Sequence, residues 1–96
     1  VSSGDDFVVR RTVEIVNRLG LHARAATLFV KVAGEFAAEV WVTKDGERVD
    51  GKSIMGLMML AAGQGSRIDV ETRGRDAAEA LGALAELVAA KFDEPA

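Results

Sequence analysis

The chain has no cysteine and only one histidine among its 96 residues. Disulfides and thiolate metal sites are therefore impossible, and the ligand clusters that zinc or iron usually needs cannot be assembled; no metal and no cofactor is expected. Tyrosine is also absent, so the nucleophile candidates reduce to His22, the Ser and Thr hydroxyls, and lysines that nothing in the sequence desolvates. Basic charge is not in excess: 12 Lys and Arg face 15 Asp and Glu, for a net charge of −3. That argues against a nucleic-acid ligand. No apolar run approaches the length that spans a bilayer, and residues 1–6 have neither the basic end nor the apolar stretch of a signal peptide. The expectation is a cytoplasmic protein with no membrane contact and a monomeric default state. A length of 96 residues is too short for a nucleotide-binding domain plus a substrate domain. One domain is expected over residues 7–92, after a flexible leader at 1–6 and before a frayed tail at 93–96, where the only proline, Pro95, ends regular structure.

What the chain does have is clear periodicity. Val9, Arg11, Val13 and Ile15 alternate with Arg10, Thr12, Glu14 and Val16 as a half-buried strand that only Arg11 spoils. After Gly20 and His22 the period becomes helical, with Ala26, Phe29, Val30 and Ala33 on one face and a stop near Gly34 and Phe36. Ala38, Val40 and Val42 begin a second strand, and Asp45-Gly46 turns it into a short third one around Glu47 to Val49. Ser53 caps a short helix to about Leu60 whose apolar residues split into two arcs. Leu57, Leu60 and Ala61 should face the core. Ile54, Met55, Met58 and Met59 either lie beneath a loop or form an adaptable protein-binding patch. Ile68, Val70 and Thr72 mark the last strand, and Ala77, Ala80, Leu81, Leu84, Leu87 and Val88 form the stripe of a final helix, with Asp76 and Glu79 read as a capping-box variant. Trp41 falls on the polar side of its strand, where packing beneath long neighbouring side chains is favoured over a docking role.

Strands with one polar face and helices with one apolar stripe imply an α+β fold of two layers, an antiparallel sheet with every helix on the same side.

The chemistry concentrates in Asn17-Arg-Leu-Gly-Leu-His-Ala-Arg-Ala-Ala-Thr27. This stretch delivers the histidine to the first turn of a helix, where free N–H groups, here those of Ala23 and Arg24, make an anion site. The helix end disfavours imidazolium, so the His22 ring is expected to be neutral and nucleophilic. A phosphate on it would meet those N–H groups and the Arg24 guanidinium. Such a site suits carriage of phosphate. Gly46-Glu-Arg-Val-Asp-Gly-Lys-Ser53 also satisfies the phosphate-loop pattern G-x-x-x-x-G-K-[ST], but its context is wrong. It reads as a hairpin strand with two acids, leaving Ser53 as a cap and Lys52 as a solvated surface lysine.

From Val13 to Val88 the chain resembles the HPr phosphocarrier proteins of the phosphoenolpyruvate-dependent phosphotransferase system. The resemblance rests on the stretch around His22 and on Gly51-Lys-Ser-Ile-Met-Gly-Leu-Met-Met-Leu-Ala-Ala-Gly63. It implies a two-layer open-faced β-sandwich, its four-stranded antiparallel sheet ordered 1-4-2-3 beneath three helices. It also implies that His22 takes phosphate on Nδ1 from phosphorylated enzyme I and passes it to an enzyme IIA domain, with Arg24 supporting the phosphate. Such a protein is a carrier with a covalent phosphohistidine intermediate rather than a stand-alone enzyme. Ser53 matches the serine that a dedicated HPr kinase phosphorylates, so a second reading is a regulatory interaction module switched at that residue. The partner surface is expected to comprise Leu21, Thr27, Ile54, Met55 and Met58. One departure is Ala25, where the family commonly has proline. A third reading, a plain ligand-binding domain, would require a concave apolar pocket.

Overall fold

Alternation in the sequence becomes a sheet whose two faces differ in chemistry. The computed structural model describes residues 7–94, and the leader at 1–6 and the last two residues lie outside them. Strands β1 (Val8–Glu14), β2 (Glu39–Lys44), β3 (Glu47–Asp50) and β4 (Arg67–Arg73) form one antiparallel sheet in the order β1-β4-β2-β3. Helices α1 (Ala23–Ala33), α2 (Ile54–Met59) and α3 (Ala77–Ala89) cover one face. This is the two-layer arrangement and strand order expected, in a chain whose described helices are all too short and polar to cross a membrane.

Register explains the faces. Val9, Arg11 and Val13 lie opposite Thr72, Val70 and Ile68, and Val40 and Val42 lie opposite Thr72 and Val70, so all of them point toward the helices. Arg11 shares that face, yet it stays exposed because β1 is an edge strand. Phe29, Leu57, Leu84, Val88 and Ile15 are fully or almost fully buried between the layers, each contributing roughly 1.5–3 kcal/mol through removal of apolar surface from water. On the open face Glu71 accepts from Arg10 at 2.8 Å and from Arg48 at 3.4 Å. Arg48 also lies 4.7 Å above the Trp41 ring, so Trp41 is packed beneath a long side chain, as expected. The Asp45-Gly46 hairpin has φ of 51° and 83°, the doubly left-handed turn that matches strand twist.

Four local expectations need correction. Asp76 makes no cap to its own helix; its carboxylate accepts from the N–H groups of Ala37 and Ala38 at 2.9 and 2.8 Å. Two donors at the entrance to β2, which the sheet does not pair, outcompete the local cap. Ala61 is exposed rather than buried, because α2 has ended and the residue turns outward with φ of 51°. Lys52 is not simply solvated: its Nζ donates to the Phe36 carbonyl at 2.9 Å and ties α2's approach to the end of α1. The phosphate-loop pattern dissolves accordingly into strand, turn and cap. Finally, Asp93 and Glu94 are not frayed. The turn Lys91–Asp93 carries three consecutive left-handed residues, with φ of 61°, 53° and 55°, buries Phe92 in the core and returns the chain to the start of α1.

Candidate functional site

Placement of His22 begins with a turn. The Gly20 N–H donates to the Asn17 carbonyl at 3.2 Å, and Asn17 Nδ2 donates to the Gly20 carbonyl at 2.8 Å. Gly20 has φ of +70°, and a Cβ there would meet the Ala62 carbonyl oxygen at 2.6 Å, so no other residue fits. Leu21 follows with its N–H on Ala62 O at 2.8 Å. The chain is thus pinned on both sides of Gly20 immediately before the histidine.

His22 is the N-cap of α1, with extended backbone and its carbonyl already accepting from Ala26 N–H at 2.8 Å. Its ring occupies the place of a capping side chain: Nδ1 accepts from the Arg24 N–H at 3.3 Å. Nε2 faces Glu94 Oε2 at 3.2 Å. A backbone donor on one nitrogen and a carboxylate on the other fit the tautomer with the proton on Nε2 and the lone pair on Nδ1. The ring is about 30% exposed, and it lines a depression of about 270 Å3 with Leu19, Arg24, Ala25, Phe92 and Glu94.

Glu94 is held by more than the histidine. Its Oε2 also accepts from Asn17 Nδ2 at 3.1 Å, and its Oε1 accepts from the Leu19 N–H at 3.2 Å. The Asn17 hydrogen bond is the main cause that holds its carboxyl below the ordinary value of 4.5; partial desolvation opposes this, and the Leu19 and His22 contacts add to the lowering. Asn17 itself is fully buried, with Oδ1 unpartnered among the described residues.

The other expected site residues divide. Arg24 is exposed, and its guanidinium has no partner among the described residues, so it is available to a new anion beside the ring. Thr27 is exposed one turn along, its hydroxyl donating to the Ala23 carbonyl at 2.8 Å. Ser53 caps α2 by accepting from Gly56 N–H at 3.0 Å. Ile54, Met55, Met58 and Met59 are 38%, 72%, 42% and 67% exposed; no loop of the described residues covers them, and α2 packs on α1. Leu21 is the correction: at 5% exposure it belongs to the core. The hydrogen bond of its N–H to Ala62 turns its side chain inward. Leu19, 64% exposed, is the apolar residue that borders the histidine instead.

Two contributors escaped the sequence reading. Glu94 lay in the stretch assigned to the tail, and the signal that could have found it is Phe92, an apolar side chain beyond the last helix that needed burial. Asn17 was placed in the motif without a role; its position three residues before a glycine is the turn signal. A depression of about 390 Å3 is lined by Ala37, Glu39, Arg73, Gly74 and Arg75. It lies at the far end of the sheet from His22 and is not the apolar pocket that a small-molecule binder would show.

Comparison with known proteins agrees with this geometry. Residues 9–90 match the family model described as "PTS HPr component phosphorylation site". The phosphocarrier protein HPr of Neisseria meningitidis serogroup A is 54% identical over 91% of this chain and 98% of its own. That of Pseudomonas aeruginosa is 53% identical over 85% of this chain and 92% of its own. Among solved structures, HPr-C-His from Thermoanaerobacter tengcongensis superposes with a TM-score of 0.88 at 44% identity, covering 92% of this chain and 99% of that one.

Proposed function

The chain belongs to the HPr family of the phosphotransferase system, and from that premise we propose that His22 is its phosphoryl acceptor, loaded by phosphorylated enzyme I and unloaded by an enzyme IIA domain. The observation that carries the reading is His22 Nδ1 at a helix N-terminus, on a ring about 30% exposed, with only the Arg24 backbone N–H on it.

The Nδ1 lone pair attacks the phosphorus of the donor's phosphohistidine. The N–P bond to the donor breaks as the new one forms, and the electron pair returns to the donor nitrogen. At 3.3 Å the Arg24 N–H gives up a weak bond when Nδ1 is taken, and it then turns to a phosphoryl oxygen. The Ala23 N–H lies at the same end of the helix dipole, and the Arg24 guanidinium closes on the dianion from solvent. The site is shallow, and that suits a carrier: a phosphate bound too well in the ground state would not be passed on.

Ile54, Met55 and Met58, with Thr27 on the adjoining helix, supply the docking face. Flexible methionines adapt to donor and acceptor alike. A second reading concerns Ser53. Its hydroxyl lies at the start of α2 beside that face, so phosphorylation by an HPr kinase would put a dianion on the apolar patch.

Incubation with phosphoenolpyruvate and enzyme I should give one acid-labile phosphate, absent in His22→Ala. An acid-stable product, or labelling that survives the substitution, would overturn the assignment.

A further inference from the structure

We infer that Glu94 is a positioning residue for phosphoryl transfer: its carboxylate fixes the His22 ring in the Nε2–H tautomer and faces the positive charge that the ring gains when Nδ1 bonds phosphorus. The inference rests on His22 being the phosphoryl acceptor, and adds a partner from the other end of the chain.

Two independent observations converge on Glu94. The first is its ring contact, Oε2 at 3.2 Å from Nε2, with both carboxylate oxygens anchored besides by Asn17 Nδ2 and the Leu19 N–H. A carboxylate held by two donors besides the ring cannot follow a mobile ring; the ring must conform to it. The second is the route the chain takes to bring Glu94 there. Lys91, Phe92 and Asp93 are all left-handed, a conformation that non-glycine residues resist and that persists only where surrounding structure imposes it. Burial of Phe92 supplies that constraint, and its result is a carboxylate over the imidazole.

The chemistry follows from proton accounting. A neutral imidazole has one proton, and on whichever nitrogen it sits that nitrogen has no lone pair to attack with. Glu94 accepts only from Nε2–H, so it keeps the lone pair on Nδ1, the nitrogen next to the helix N-terminus. As the N–P bond forms, the donor nitrogen recovers its electron pair, the proton stays on Nε2, and the ring becomes cationic between carboxylate and phosphoryl group. In the outgoing transfer Nδ1 takes back the N–P electron pair and the ring returns to neutral, still hydrogen-bonded to Glu94. No proton has to leave the site in either direction. The charged groups facing the ring are Glu94 from the C-terminal turn and Arg24 from α1, and α2 carries no titratable side chain.

The test reads 15N chemical shifts of the single histidine in the 96-residue chain, with Glu94→Ala and Glu94→Gln beside the parent, and amide spectra to establish folding. The parent should show the Nε2–H pattern. Glu94→Ala should move both ring shifts toward the averaged values of exchanging tautomers, and Glu94→Gln, which keeps the side-chain length without the charge, should fall between. With phosphoramidate as a small phosphoryl donor, kcat for ring phosphorylation should fall about tenfold in Glu94→Ala, with KM within about twofold. Unchanged ring shifts in Glu94→Ala overturn the inference, as does an altered tautomer with an unchanged rate. If the parent takes no phosphoryl group from any donor, the functional assignment of His22 fails, while the ring shifts still decide whether Glu94 sets the tautomer.

Discussion

Asn17 Nδ2 donates to Glu94 Oε2 at 3.1 Å across 77 residues of sequence, and the same nitrogen donates to the Gly20 carbonyl at 2.8 Å. One buried amide therefore fixes both the turn that presents His22 and the carboxylate that faces it. Asn17→Ala should cost about 1–2 kcal/mol, the range for leaving acceptors without a buried donor, the loss being moderated because Oδ1 has no partner to lose. Urea unfolding measures this. A neutral result would mean that solvent or a neighbouring donor replaces the amide.

Acid should weaken the same latch. The Glu94 carboxyl titrates below its ordinary 4.5 in the folded chain, chiefly because Asn17 donates to it. The unfolded chain therefore binds this proton first as pH falls, so the stabilisation is complete above the ordinary value and is lost through the lower folded one. The stability difference between the parent and Glu94→Gln should hold steady from about pH 7 to about pH 5, then shrink toward about pH 3. A difference that grows in acid would reverse the sign and refute the assignment.

Ser53 separates a structural from a regulatory role. Its hydroxyl caps Gly56 N–H at 3.0 Å, so Ser53→Ala should cost about 1 kcal/mol. Ser53→Asp can still accept that bond and should stay near the parent in stability, while its charge weakens binding to enzyme I. Titration of the two proteins reads the switch directly; equal affinity for Ser53→Asp and parent removes it.

Met55 is 72% exposed and contributes nothing to the core. Met55→Glu should leave stability within about 0.5 kcal/mol, yet raise KM for the phosphoryl donor roughly fivefold, a loss of about 1 kcal/mol of contact. A changed kcat with an unchanged KM would move Met55 out of the docking face.

Legibility in the sequence tracked locality. The β-alternation, the Asp45-Gly46 turn, the Ser53 cap and the position of His22 each depend on residues within a few places of one another, and each is present in the structure. The order of the strands is not local; it came from resemblance, since periodicity says which face a strand buries but not which strand lies beside it. The misreadings have the same origin. Asp76 satisfies donors 38 and 39 residues away instead of its own helix, and Glu94 reaches His22 across 72. Its place next to Pro95 marked Glu94 as tail, because no sequence window holds both ends of that contact.

Ala25 tests how far the site tolerates the residue more usual in its family. It is the third residue of α1 and fully buried, and its N–H is among the first of the helix, which no carbonyl of the helix reaches. Proline there would sacrifice no intrahelical bond, and restricting the unfolded chain would stabilise by about 0.4–1 kcal/mol. Against this, a proline disfavours the helical conformation that Arg24 must keep. Its ring would also project beside the depression that Ala25 shares with His22, Phe92 and Glu94. These effects are of similar size and opposite sign, so Ala25→Pro should shift stability by no more than about 1 kcal/mol. A rigid ring that narrows the depression should also restrict the imidazole to the orientation it already has, leaving the rate of phosphoryl acceptance equal or higher. Calorimetry together with the phosphoramidate assay decides the matter. Severe destabilisation would show that the depression has no space for the ring, and a slower reaction at unchanged stability would show that His22 must move to accept phosphate.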